Sequence, residues 1–315
     1  MAGNLLTQIF DREIQEGLWD ANEFMSHAID DTSWVNADQV NLPVAGAPPG
    51  VVKDRSAKAD SAKRTDGATK YNMHELSTDP TWVQVSEELT VNYNKRQSVL
   101  RGHKKALIDA LAVNVLHEWA AGGDDTGSIK PVQVRTSGTG RPVGLETVGS
   151  TAPTGNRKGL AYADVLDVIA VFNKQNIPSD GRYAVITAEM LKDLQKIEEF
   201  KNSDYYDKKT VEKAPRSFYW LGITWYVRSF VTMFSNAATP VLKDVGADTA
   251  TTSNAGAIFW HKDHVRKANG AVKTFLNLNQ AEEYGDIMSA LLRYGAFGAR
   301  KDGKGIVNLV ESAVA

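Results

Sequence analysis

The chain contains no cysteine, which excludes disulfide staples, thiolate nucleophiles and cysteine-ligated zinc. No stretch approaches the roughly 18 consecutive apolar residues that cross a bilayer, so no membrane partner is expected. The first ten residues lack a positive segment, and Asp11, Glu13 and Glu16 interrupt any apolar run. No export signal is read, and nothing in the sequence takes the chain out of the cytoplasm. Strong positive charge is missing as well. The 36 Lys and Arg against 38 Asp and Glu give a net charge of −2, whereas a protein that wraps nucleic acid tightly is basic. No GxSxG, HExxH or other catalytic signature occurs, which leaves no positive case for an enzyme.

What is present fits one large folded domain or two smaller ones. The 315 residues are 42% hydrophobic and 23% charged, which rules out wholesale disorder. No fixed-period repeat occurs, so a solenoid or propeller is disfavoured.

Residues 1–31 carry seven acidic side chains against Arg12 alone, with Leu5, Leu6, Ile9, Phe10, Ile14, Leu18 and Trp19 near helical spacing. This acidic amphipathic arm either packs on its own domain or docks on another subunit. Pro43, Pro48 and Pro49 then break regular structure. From Lys53 to Lys70 there are six basic and three acidic side chains and nothing apolar larger than alanine. So hydrophilic a run cannot offset its own ordering entropy. Attached to a folded domain, it reads as an arm that orders on a neighbouring subunit. An alternating strand at 82–93 is expected to form one leg of an extended two-stranded loop, with the other leg within 50–72.

A long helix comes next, from about Gln97 to Ala121, with Leu100, Leu107, Ile108, Leu111, Val115 and Trp119 on one stripe. About 25 residues at 1.5 Å each extend roughly 37 Å, the length of a structural spine. Ser128–Arg157 is rich in Gly, Thr, Pro and Ser, with a short strand expected at Val132–Arg135. A helix–strand–helix block then runs from Tyr162 to Ile197. Its first helix ends at Asn176 before Pro178, Arg182–Ile186 is a buried strand, and Thr187 caps the second helix. Lys201–Arg216 is an exposed polar loop. Strands are expected at Trp220–Val227, Ala257–Trp260 and Val272–Leu278, with a last pair at Met288–Tyr294 and Ala296–Arg300.

Candidate chemistry is sparse. His261 and His264 form an HxxH, but Lys262, Arg266 and Lys267 surround the pair and repel a cation. Asp124-Asp125 reads as a solvated turn. Gly138–Gly144 misses the GxGxxG spacing and has no Lys-Ser/Thr after it. The aromatic and basic residues of Lys201–Tyr226 fit core and rim roles. No catalytic, cofactor-binding or metal-ligating residue is assigned.

One block carries a family resemblance. Tyr162–Leu166, then Asn176-Ile177-Pro178, then Arg182-Tyr183-Ala184-Val185-Ile186-Thr187-Ala188 resembles the axial domain of tailed-phage major capsid proteins. In that family a helix is followed by N-x-P-x-x-x-R-Y-x-V-hydrophobic-x-P. Here Ala188 stands at the final proline. Gly285–Arg300 resembles the family's return strand. The resemblance implies an α+β, HK97-like capsid fold with an N-terminal arm (1–35), an extended loop (36–93), a spine helix and peripheral domain (94–160), an axial domain (161–280) and return strands (281–315). It also implies hexamers and pentamers in an icosahedral shell around double-stranded DNA, which meets the inner face without sequence specificity. Scaffolding, portal and decoration proteins are the further partners, and the virion is the expected location. An encapsulin-like compartment shell is the alternative, and an α+β nucleotide- or sugar-binding enzyme a more distant one.

Overall fold

The computed structural model describes residues 22–44, 50–56, 58, 61, 63–64, 67–84, 95–122, 130–142, 156–201, 217–247, 253–280, 284–300 and 302–313. A 3-10 turn at Glu23–His27 precedes β1 (Ile29–Asp30), β2 (Val35–Asn36), β3 (Gln39–Val44), β4 (Gly67–Asn72), β5 (His74–Ser77) and β6 (Thr81–Gln84). Then come helix α1 (Lys95–Ala121), β7 (Val132–Arg135), β8 (Gly140–Pro142) and β9 (Asn156–Lys158). Helix α2 (Tyr162–Lys174), β10 (Arg182–Thr187), α3 (Ala188–Leu194) and α4 (Glu198–Lys201) are next. The chain continues through β11 (Ser217–Trp220), β12 (Ile223–Arg228), β13 (Thr232–Ser235) and β14 (Ser253–His261). It closes with β15 (Val265–Gln280), β16 (Gly285–Gly298), β17 (Ile306–Val310) and β18 (Ser312–Ala313).

A central sheet runs in the order β11-β12-β10-β14-β17-β7, with β13 on β14. It is covered on both faces, and strand alternation divides its side chains between two cores. Val185, Ile258, Trp260 and Ile306 join the core around α1. Their neighbours Ala184, Ile186, Ala257, Phe259 and Val307 join the core beneath α2 and α3. The long β15–β16 hairpin forms a second sheet, flanked by β1 on one side and by β5 and β6 on the other. Ala290, Leu292, Tyr294 and Ala296 of β16 turn towards α1, whose Leu107, Leu111, Val115 and Trp119 are buried against them. The stripe read from sequence is the face that binds the two sheets together.

The helix–strand–helix block shows why its signature residues recur together. Asn176 takes the left-handed conformation (φ 56°) just past α2. Ile177 N–H donates to the Phe172 carbonyl and Asn176 N–H to the Asn173 carbonyl, both at 3.0 Å, which satisfies the helix end. The buried Arg182 guanidinium donates to the carbonyls of Ile177 (2.6 Å) and Pro178 (2.8 Å) and to Asn173 Oδ1 (2.9 Å). It lies 5.2 Å from the Phe172 ring centroid. Asn, Pro and Arg thus secure one turn between helix and strand. Thr187 Oγ1 accepts from Met190 N–H at 3.3 Å, the expected cap.

Several expectations are corrected. Trp220–Val227 is not one strand. Leu221 (φ 52°) and Gly222 (φ 76°) fold it into the β11–β12 hairpin, because two successive positive φ angles match strand twist. The expected last strand pair is the single strand β16. Val272–Leu278 lies within the longer β15, which pairs with β16 rather than joining the central sheet. The legs of the extended loop also differ. β4 pairs with β3, and the described part of 82–93 pairs with Gly285–Ile287 of β16. Alternation shows that a strand has two faces but not which strand lies beside it.

Candidate assembly surfaces

The β3–β4 hairpin is anchored at its root and free of its own core towards its tip. Val40, Leu42 and Tyr71 point inward and pack on Ala268 and Phe297 of the second sheet. The Tyr71 and Phe297 rings stack at 5.2 Å with a 2° interplanar angle. Tyr71 donates its phenol proton to Asp31 Oδ2 at 3.1 Å, and Arg266 donates to Asp31 Oδ1 at 2.7 Å. Burial pushes the Asp31 carboxyl above its ordinary range, and Arg266 and Tyr71 only partly offset that. Burial likewise raises the Tyr71 phenol, with the Asp31 carboxylate adding to the effect. Arg293 pairs with Asp38 beside this root. One buried acid, one phenol and one guanidinium therefore tie the arm, the loop and the second sheet together.

Between Val44 and Gly67 none of the described residues joins a hydrophobic core. Those from Gly50 to Arg64 are all exposed, among them Lys53, Arg55, Lys58 and Lys63. Val51 and Val52, 97% and 60% exposed, stand out among these polar side chains.

The second sheet presents another open surface on the face away from α1. Trp82 of β6 lies opposite Ile287 of β16, which in turn pairs with Asn277 of β15. Phe275 pairs with Ser289 two residues further along. Trp82 and Phe275 are 47% and 52% exposed.

The described end of the arm, residues 22–31, packs on its own subunit. Phe24 and Met25 insert into this subunit's own core, Phe24 against Trp119 and Trp260 at 6.0 and 6.3 Å. Burying two such side chains is worth about 1.5–3 kcal/mol each. His27 stacks on Tyr183 at 4.0 Å, and its backbone carbonyl accepts from Trp260 Nε1 at 3.1 Å. The end of the arm therefore docks in cis, and residues 1–21 lie outside the described residues.

Of the weaker chemical candidates, His261 and His264 do come together, with their Nδ1 atoms 3.4 Å apart. No group of three or more His, Cys, Asp or Glu suited to a metal occurs among the described residues. Lys262 lies over Gly181, and Arg266 pairs with Asp31. Gly140–Pro142 is a strand paired with Asn156–Lys158 rather than a phosphate loop. Phe218, Trp220 and Trp225 are core residues. Asp124-Asp125, residues 143–144 and most of the 201–216 loop lie outside the described residues. Sequence reasoning missed Asp31, Tyr71 and Arg266 as a set, since 235 positions separate Asp31 from Arg266. No spacing signal could have joined them.

A family model described as phage capsid protein matches residues 140–311, more than half of the chain. The chain belongs to the phage capsid protein family. It is a capsid protein, a structural subunit of a phage shell. Its fold is similar to that of a chain from Mycobacterium phage Che8, with 16% identity and a TM-score of 0.59 over 91% of this chain and 90% of that one. It is similar too to the capsid of cyanophage P-SCSP1u (13% identity, TM-score 0.57, 91% and 87% covered). A virus-like particle from Pyrococcus furiosus matches at 9% identity and a TM-score of 0.53, over 96% and 99% of the two chains. No curated protein matches the capsid chain. At these identities the likeness is one of fold, which this capsid protein keeps with little of the sequence shared.

Proposed function

We propose that this capsid protein closes its shell from hexamers and pentamers held together by the β3–β4 hairpin of each copy lying over a neighbour. The observation that carries this reading is the hairpin itself, packed at its root by Tyr71 on Phe297 and bare at its tip, where Val51 and Val52 face water. A segment that buries so little on its own subunit gains its apolar burial only on another. The shell encloses double-stranded DNA, which meets an inner face of mild overall charge without base readout. Scaffolding, portal and decoration proteins complete the partner set. The assembled protein resides in the virion after assembly in the host cytoplasm.

The division that goes with this reading is an arm (1–35), an extended loop (36–93), a spine helix and peripheral domain (94–160), an axial domain (161–280) and return strands to the peripheral domain (281–315). The pairing of β15 with β16, away from the central sheet, favours an axial domain that ends nearer 264.

Electron microscopy of the purified protein tests the reading. Closed particles built of five- and six-membered rings are expected, and replacement of residues 45–66 by a short Gly-Ser linker abolishes them while the subunit still melts cooperatively. Particles of normal form without the loop overturn the proposal. Particles that fill with a protein cargo rather than DNA point to a compartment shell instead.

A further inference from the structure

The first half of α1 lacks carboxylates. Residues 95–105 hold Lys95, Arg96, Arg101, Lys104 and Lys105, with no acidic residue before Asp109. A first turn without a carboxylate leaves the positive end of the helix dipole uncompensated by the helix itself. Arg96 pairs with Asp286 of β16. Arg101 and Lys105 are exposed and lie four residues apart, on one ridge with Lys104 and Ile108.

That ridge leads into a groove of about 600 Å³ between α1 and the end of β12. Phe24, Ile108 and Val227 supply its apolar wall, and its cations, Lys105 and Arg228, are matched in number by Glu23 and Asp109. The described residues begin in this groove. Asn22 is buried, donates through Nδ2 to the Ile108 carbonyl at 3.3 Å and accepts from Arg228 at 2.8 Å. Two residues on, Phe24 reaches Trp119 near the far end of the helix. The chain therefore enters running towards the C-terminal end of α1. Followed backwards from Asn22, it heads along the basic ridge.

The 21 residues ahead of Asn22 have the chemistry that this surface lacks. They carry Asp11, Glu13, Glu16 and Asp20 against Arg12. Leu6, Phe10, Ile14 and Leu18 recur at every fourth position, and Glu13, Glu16 and Asp20 share another helical face. As a helix this segment extends about 30 Å, and α1 from Ile108 back to Lys95 extends about 20 Å.

We propose that residues 1–21 lie along α1 of their own subunit, with the apolar stripe in the groove and the acidic face on Arg101, Lys104 and Lys105. Parallel packing from Asn22 sets Glu16 near Arg101 and Lys105, and Glu13 about one turn nearer the start of α1. The arm is then a strap over the spine helix that supplies the carboxylates α1 lacks.

Cross-linking tests this on the full chain, whose lack of cysteine makes two introduced thiols the only ones present. Arg12→Cys combined with Ser98→Cys leaves every acidic and basic partner named above in place. The variant is prepared in light and isotopically heavy forms, mixed before assembly and treated with a short bis-maleimide. The expected product joins positions 12 and 98, light to light and heavy to heavy. Light–heavy products at the level of random pairing overturn the proposal and put the arm on a neighbouring copy. Absence of the 12–98 product also overturns it. A second measurement reads the charges. Glu13→Lys with Glu16→Lys should lower amide protection over residues 5–20 about tenfold, and adding Arg101→Glu with Lys105→Glu should restore it. Protection that the second pair does not restore overturns the proposal, whatever the cross-link shows.

Discussion

The central sheet and the β3–β4 hairpin are built on opposite plans. In the sheet, successive residues of β10 and β14 enter two different cores, so nearly every side chain from Ala184 to Ile186 and from Ala257 to Trp260 is buried by its own subunit. In the hairpin, burial is confined to Val40, Leu42, Thr69 and Tyr71 at the root, and from Gly50 to Arg64 the described residues are exposed. The sheet is buried by its own subunit; the described part of the hairpin beyond its root is not. Substitutions should therefore divide into those that unfold the subunit and those that spare it and stop the shell.

The largest effect is expected at Trp260, which touches Phe24, Trp119 and Tyr183 and donates to His27. Trp260→Ala should cost about 3–5 kcal/mol, measured by denaturant unfolding of dissociated subunits. A cost comparable to that of a tip substitution would erase the contrast between the regions.

Next comes the root, where the two plans meet. Arg266→Met leaves the Asp31 carboxylate buried with only Tyr71 and should cost about 2–3 kcal/mol, discounted because the guanidinium is partly exposed. The sign with pH is set by Asp31. Its folded value is raised, so the root is firmest at low pH and loosens as pH rises through that value. Asp31→Asn should flatten this dependence in a thermal-shift series, and an unaltered slope would assign it to another group.

A smaller effect is expected at the end of α2. Asn176→Ala forces a Cβ-bearing residue without local hydrogen bonding into the left-handed region and should cost about 1 kcal/mol, whereas Asn176→Gly should be close to neutral. Equal losses for both would mean that the Asn side chain, not the backbone angle, matters.

The smallest effect on folding belongs to the tip. Val51→Ser combined with Val52→Ser should change subunit stability by no more than about 0.5 kcal/mol. Shell formation seen by light scattering should nonetheless be lost. Normal assembly of this double variant would show that the exposed pair is not the contact the hairpin makes.

The sequence by itself determined the local pieces. The 3.6-residue spacing of Leu107, Leu111 and Trp119 marked the spine, and Asn176, Arg182 and Thr187 marked the turn, strand and cap of the axial block. Hydrophilicity marked the loop tip as exposed. These signals are legible because helix periodicity, capping and solvation act between residues close in the chain. Strand partners were not legible, so Trp82 was placed in a loop leg that in fact lies along β16, and Trp220–Val227 hid a turn. Nor could the sequence show that Asp31, Tyr71 and Arg266 meet. Tertiary structure decided these because register, side-chain direction and buried charge depend on which surfaces pack together, and packing joins residues that the sequence holds far apart.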